Sequence, residues 1–269
     1  MVQEILVPVS LVSALGLIFG LGLSYASKIF EVKTDERVEK IKEILPGANC
    51  AACGQTGCDA FAEAVVAGKS PANACIVGGA EVASKIGEIL GVEVKVMEPQ
   101  TARVLCKGNS NVSKLKYDYE GIQDCAAASQ LYAGPYSCTY GCLGLGTCKN
   151  VCQFGAIEIE NKLARINEAK CTACGMCVKA CPKNIIKILP KSSNYVVSCR
   201  SLDKGAIVRK NCEVGCIGCK LCAKSCAYDA ISFNGSLAQI DPAKCTNCGM
   251  CKEVCPTGAI DKTLDCVLQ

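Results

Sequence analysis

The chain opens with an apolar run and continues in short amphipathic pieces. Between Ile5 and Ser27 no residue is charged, and this 23-residue stretch, as a helix rising about 1.5 Å per residue, spans about 34 Å and crosses a bilayer once. Residues 34–45 put Val38, Ile41 and Leu45 on one face of a short helix stopped by Pro46-Gly47, a stalk between the membrane and the first cysteine-rich loop. Phe61-Ala62 opens a helix that ends at Gly68, and residues 79–91 give another, with Val82, Ile86 and Ile89/Leu90 on one stripe. Residues 92–96 and 102–105 alternate as short strands, whereas residues 107–124 are polar and read as linker. Further on, residues 157–166 and 231–240 read as hairpins around Glu160-Asn161-Lys162 and Asn234-Gly235. Gly155-Ala-Ile, Asn184-Ile-Ile, Asp229-Ala-Ile and Gly258-Ala-Ile each read as a turn entering a short apolar strand.

These hairpins belong to a duplication. Cys125, Cys138, Cys142, Cys148, Cys152, Cys171, Cys174, Cys177 and Cys181 shift by 74 residues onto Cys199, Cys212, Cys216, Cys222, Cys226, Cys245, Cys248, Cys251 and Cys255. Ile157/Ile231, Ile166/Ile240 and Lys170/Lys244 keep the same register, and the second copy has Cys219 where the first has Leu145. The fixed feature of the repeat is sulfur.

Composition sharpens this. The 269 residues include 25 cysteines, no histidine and no tryptophan. An odd number of thiols crowded at i, i+3 and i+6, with no cleavable signal peptide in view, argues against a disulfide scaffold. The absence of histidine excludes Rieske-type ligation, His-ligated haem and mixed Cys/His zinc sites, and leaves thiolate chemistry. The formal net charge of +4 counts those thiols as neutral; five oxidised 4Fe-4S clusters at −2 each would bring the chain to roughly −6, so the basic balance is no argument for nucleic acid.

Cys171-x2-Cys174-x2-Cys177-x3-Cys181-Pro182 and Cys245-x2-Cys248-x2-Cys251-x3-Cys255-Pro256 match the bacterial ferredoxin run, and Cys216-x2-Cys219-x2-Cys222-x3-Cys226 matches it without the proline. Thiols three apart in a tight loop meet three corners of one cubane, and the fourth reaches the partner cluster, so paired runs interlock. In the second module this assigns Cys216, Cys219, Cys222 and Cys255 to one cluster and Cys226, Cys245, Cys248 and Cys251 to the other. The first module is irregular at Cys138-x3-Cys142-x5-Cys148-x3-Cys152. If it keeps two clusters, Cys138 joins Cys142, Cys148 and Cys181, while Cys152, Cys171, Cys174 and Cys177 form the second. Cys212, in register with Cys138, is then a spare thiol or a substitute ligand. Ahead of both modules, Cys50, Cys53 and Cys58 in a glycine-rich loop, with Cys75, make a further four-thiolate site for which zinc is the competing metal on spacing alone. Cys106 reads as a buried structural thiol, Cys125 and Cys199 repeat without an evident role, and Cys266 reads as a free thiol.

The expected architecture is α+β: a transmembrane anchor (1–30), a small mostly helical 4Fe-4S domain (31–98), a linker (99–124), and two tandem two-cluster ferredoxin-like domains (125–190 and 191–269). With so few aromatics, the clusters would replace much of the core, and folding would depend on their insertion. Lys28, Lys33, Arg37, Lys40 and Lys42 all follow the anchor, which places the cluster domains on the cytoplasmic side of the cell membrane. No G-x-G-x-x-G follows a strand, so no flavin or nicotinamide fold is visible and the chain has no catalytic residue of its own. Five closely spaced one-electron centres make a wire.

The combination of the anchor, the Pro46-Gly-x2-Cys50-x2-Cys53-Gly-x3-Cys58-x2-Phe61-Ala62 domain, and the irregular Cys138-Thr-Tyr-Gly-Cys142-Leu-Gly-Leu-Gly-Thr-Cys148 run before ferredoxin repeats closely resembles the B subunits of the Rnf membrane complexes, in their long clostridial form. The resemblance covers essentially the whole chain. It implies that the subunit accepts electrons from reduced ferredoxin and relays them through a complex that reduces NAD+ and translocates Na+ or H+, with flavin and NADH sites on sister subunits. Two other readings share part of the evidence: an electron-supply subunit of another membrane complex, such as one reducing a redox-sensing regulator, and a zinc-stabilised Cys-rich scaffold.

Overall fold

The computed structural model describes residues 2–29, 35–94 and 98–262. α1 (Val2–Ile29) is the uncharged run extended at both ends. Leu15, Leu17, Ile18, Phe19, Leu21 and Leu23 all stand exposed on it, and none of its Leu11–Lys28 window is buried against the rest of the chain. Among the described residues it is the one helix long and apolar enough to cross a membrane.

α2 (Glu36–Ile44), α3 (Cys58–Val66) and α4 (Gly79–Leu90) pack as a small helical unit. Val38, Ile41 and Leu45 meet Phe61, Ala62, Val65 and Ile86 in its core. The segment read as a stalk is therefore one wall of this unit, because its apolar stripe finds a partner in α3 and α4. Asp35 caps α2, its carboxylate accepting from the Arg37 amide, and Gly91 ends α4 in the left-handed region. Residues 92–94 form no strand, and the remainder of the strand expected over 92–96 lies outside the described residues.

β1 (Gln100–Val104) begins the segment expected to be linker, yet it pairs antiparallel with β4 (Ile186–Pro190). Between them in sequence lie α5 (Cys125–Gln130), α6 (Thr147–Asn150), the hairpin of β2 (Ile157–Glu160) and β3 (Leu163–Ile166), and α7 (Met176–Ala180). The second module repeats the plan with β5 (Tyr195–Val197), α8 (Gly205–Asn211), α9 (Leu221–Lys224), the β6 (Ile231–Asn234)/β7 (Leu237–Ile240) hairpin, α10 (Met250–Glu253) and β8 (Ile260–Lys262), with β5 pairing β8. Both hairpins fall where the alternation predicts, Ile157 facing Ile166 and Ile231 facing Ile240.

The apolar cores are small, and thiols are part of them. Ala102, Ile157, Leu163, Ala164, Ile185 and Ile186 surround Cys142, Cys148 and Cys177 in the first module. Val197, Leu237, Ala238 and Ile260 surround Cys222 and Cys251 in the second.

The two modules are joined by the stretch after β1. Lys107 Nζ reaches Asp261 Oδ1 at 2.6 Å, Lys114 N–H donates to the Asn211 carbonyl at 3.1 Å, and Glu213 N–H donates to the Val112 carbonyl at 3.1 Å. The buried Arg103 guanidinium donates to the carbonyls of Ser193 and Lys191 in the crossing between modules.

Candidate metal centres

Four loops of the repeat share one backbone shape. In the run from Cys171, the residues at the second and fourth places after the cysteine, Ala173 and Gly175, have φ of 57° and 79°. Asn247 and Gly249 do the same after Cys245 (60° and 85°), as do Gly218 and Lys220 after Cys216 (68° and 62°). The irregular run has it too, with Gly144 and Gly146 at 68° and 83° after Cys142. Paired left-handed residues wind the loop tightly and turn successive side chains toward one point. The four turns after the fourth cysteines are also left-handed, at Gly155, Asn184, Asp229 and Gly258.

Because the loops match, Leu145 stands where the other three runs carry their middle cysteine. Cys125 approaches that place from outside. It opens α5 and is buried with Leu143 and Tyr136, with Leu145 packed on the group. The Cys125 amide donates to Thr147 Oγ1 at 2.7 Å, and that hydroxyl donates to Asp124 Oδ2 at 2.8 Å, which fixes α5 on the loop. The thiolates whose charge acts on Cys148 are Cys142, Cys125, Cys181 and Cys177. Cys138, expected beside Cys142, instead has Cys212 and Asp203 as its charged neighbours.

Several of the other cysteines named by spacing lie near one another. Cys75 sits among Cys53, Cys58 and Cys50, with Asn49 Oδ1 accepting from the Cys58 amide at 2.8 Å to close the loop. Cys177 has Cys171, Cys174 and Cys152 about it, and Cys251 has Cys245 and Cys248. Cys216, Cys219, Cys222 and Cys255 line one cavity. Cys226 follows α9 with its amide bonded to the Ala223 carbonyl, as Cys152 follows α6 on the Lys149 carbonyl.

Burial pushes the Cys148 and Cys177 thiols up to about 12 and those of Cys222 and Cys251 up to about 11, the neighbouring thiolates adding to the shift. Thiols held like this ionise only against strong positive charge, which iron supplies. Backbone amides are aimed at several of the sulfurs: Ala102 and Ala173 on Cys171 and Ala156 on Cys152, each at 3.4 Å, and Ala259 on Cys255 at 3.3 Å. Such donors stabilise the extra charge of a reduced cluster and raise its potential. Among the described residues, no group of three or more Cys, Asp or Glu converges closely enough for a single ion.

The sites are close to one another. Cys75 and Cys171 line a common cleft between the helical unit and the first module, with Pro99 and Gln100 between them. The Cys142 amide donates to Cys106 Sγ at 3.4 Å.

Comparison with known families fits this arrangement. Residues 45–77 match a family described as an Fe-S cluster domain, residues 164–187 a 4Fe-4S binding domain, and residues 215–259 a 4Fe-4S dicluster domain. The chain is 44% identical, over 97% of its length and 78% of the relative's, to the B subunit of the Na+-translocating ferredoxin:NAD+ oxidoreductase complex of Acetobacterium woodii. It is 44% identical to the B subunit of the ion-translocating oxidoreductase complex of Methanosarcina acetivorans, over 94% of this chain and 96% of that one. The B subunit of the proton-translocating ferredoxin:NAD+ oxidoreductase complex of Clostridium ljungdahlii is 43% identical over 91% of this chain and 88% of its own. The chain therefore belongs to the family of B subunits of the ion-translocating (Rnf) oxidoreductase complexes, as an iron-sulfur electron-transfer subunit.

Proposed function

We propose that the chain takes electrons from reduced ferredoxin and passes them to sister subunits that reduce NAD+ and translocate Na+ or H+. The observation that carries this reading is the fourfold recurrence of one loop shape in the cysteine runs. Bound 4Fe-4S clusters supply reversible one-electron chemistry. The protein's own residues would hold them and set their potentials through amides directed at sulfur.

The ligand sets we assign are Cys50, Cys53, Cys58 and Cys75; Cys125, Cys142, Cys148 and Cys181; Cys152, Cys171, Cys174 and Cys177; Cys216, Cys219, Cys222 and Cys255; and Cys226, Cys245, Cys248 and Cys251. Cys125 replaces Cys138 in the second set because α5 brings it to the loop position that Leu145 leaves without sulfur. α1 anchors the chain by a single crossing, and the basic residues after it, from Lys28 to Lys42, support a cytoplasmic position for the sites.

The test is anaerobic mixing of the full-length chain with reduced ferredoxin. Oxidation of the ferredoxin with matching loss of the chain's visible iron-sulfur absorbance is the expected result. Ferredoxin that stays reduced beside an iron-loaded chain counts against it.

A further inference from the structure

The repeat that the structure obeys differs in one respect from the repeat of the sequence. Arg103 on β1 faces Lys187, and Val196 on β5 faces Asp261; Lys187 and Asp261 are themselves 74 residues apart. The match continues beyond the strands, where Leu105 N–H donates to the Ile185 carbonyl and Ser198 N–H to the Ala259 carbonyl. Position 103 thus corresponds to 196, and three residues on, Cys106 corresponds to Cys199. The amide of Cys142 donates to Cys106 Sγ, and the amide of Cys216, the counterpart of Cys142, donates to Cys199. The structural mate of Cys199 is therefore Cys106, and the sequence register of Cys199 with Cys125 is an accident of an insertion after β1.

Each module then supplies an equivalent pair, Cys106 with Cys138 and Cys199 with Cys212, and the pairs face one another. All four line a single cavity between the modules, as Cys216, Cys219, Cys222 and Cys255 line another. The cavity is prepared for sulfur. A Cβ on Gly108 would stand 3.4 Å from Cys212 Sγ and 3.7 Å from Cys106 Sγ, and one on Gly141 would stand 3.6 Å from Cys138 Sγ. Amides of Tyr140 and Gly141 point at Cys138, those of Gly108 and Cys142 at Cys106, and those of Ser201 and Cys216 at Cys199. Ser113 Oγ lies 4.0 Å from Cys212 Sγ. Four thiols kept only for packing would close on one another and need no donors.

We infer that Cys106, Cys138, Cys199 and Cys212 form a sixth four-thiolate site, for a 4Fe-4S cluster held jointly by the two modules. The inference rests on the iron-sulfur reading above and adds a centre to it. Its position has a consequence for the relay, since its ligands adjoin Cys142 of one module and Cys216 of the other. Two separate pairs of centres become one continuous line. Of the 25 cysteines, only Cys266, outside the described residues, is then left without a site.

The experiment measures iron, acid-labile sulfide and zinc per chain in the full-length protein, purified anaerobically in mild detergent, for the wild type, Cys138→Ser/Cys212→Ser and Cys125→Ser. Six sites predict about 24 iron and 24 sulfide in the wild type, against about 20 for five. The double variant should lose about four of each and keep the EPR signals of both modules. Equal iron in wild type and double variant overturns the inference, as does one zinc per chain beside about 20 iron. Should the double variant not accumulate, the wild-type count alone decides between 24 and 20. Cys125→Ser and the wild-type count separate the sixth site from the iron-sulfur reading beneath it: loss of iron in Cys125→Ser with none in the double variant removes the sixth site only, whereas a wild type with zinc and without iron or acid-labile sulfide removes the iron-sulfur reading itself.

Discussion

The backbone amide of Cys142 donates to the sulfur of Cys106 at 3.4 Å, across 36 residues of chain. A cysteine of the irregular ferredoxin-type loop is thereby tied to a thiol lying outside every motif. The contact exists because β1 pairs with β4 and delivers Cys106 to the loop directly after the strand ends. Function in this chain depends on such ties, since a relay needs its centres held at fixed separations.

In the proposed ligand sets Cys125 takes the place of the missing middle cysteine of the first run. Cys125→Ser should lower iron and sulfide by about four per chain. Adding Leu145→Cys to that variant should restore them, because the Gly144/Gly146 loop already has the shape of the regular runs. Iron analysis and EPR of the reduced proteins check this; no recovery in the double variant would mean that Cys125 acts elsewhere.

Gly144 lies at φ +68° with the Lys162 carbonyl pressed against the space a Cβ would fill, and a Cβ on Gly218, at φ +68°, would stand 2.7 Å from the Ser236 carbonyl oxygen. Gly218→Ala should cost about 1–3 kcal/mol in backbone strain alone, with more from the clash. The expected readout is faster cluster loss from the second module in mild denaturant, followed by visible absorbance. Gly235→Ala, with nothing within 4 Å but φ of +60°, should cost less.

Asp261 is buried and Lys107 half-buried, and their 2.6 Å ion pair spans the two modules. Asp261→Ala leaves the ammonium without its carboxylate in a partly dry setting and should destabilise the module interface by about 1–3 kcal/mol. Limited proteolysis near residues 107–114 should accelerate, while iron in the helical N-terminal unit stays constant.

Ile86 is fully buried between α2 and α3. Ile86→Ala should cost about 2–5 kcal/mol and release iron from the Cys50, Cys53, Cys58 and Cys75 site before any other. Uniform loss from all sites would show that the unit does not unfold by itself.

α1 exposes large apolar side chains from Val9 to Tyr25. Membranes washed in alkaline carbonate should retain the full chain and release a variant lacking residues 2–29, as immunoblotting of the two fractions would show.

Much of this was legible in the residues. Period-2 alternation located both hairpins, and the C-x2-C-x2-C runs announced the loops that proved left-handed at Ala173/Gly175 and Asn247/Gly249. Helical spacing found the buried stripe of α2, although not its partner: a stripe says that a face is covered and leaves open by what. The surroundings of Cys138 and Cys125, on which their proposed roles rest, were not readable, because spacing along the chain brings cysteines together only within one loop. Both depend on docking, of α5 onto Thr147 and of the stretch after β1 onto the second module. Cys106 was hidden for a related reason. Its counterpart Cys199 lies 93 residues away rather than 74, a relationship seen in paired strands and not in the cysteine text.

The central claim is that thiolates hold a line of iron-sulfur centres rather than zinc. EPR of the dithionite-reduced full-length chain, with iron and sulfide measured on the same sample, tests it most directly. About 20 or more of each per chain, with magnetically coupled 4Fe-4S signals, is the predicted result. A colourless protein containing zinc, no acid-labile sulfide and no EPR signal on reduction would contradict it.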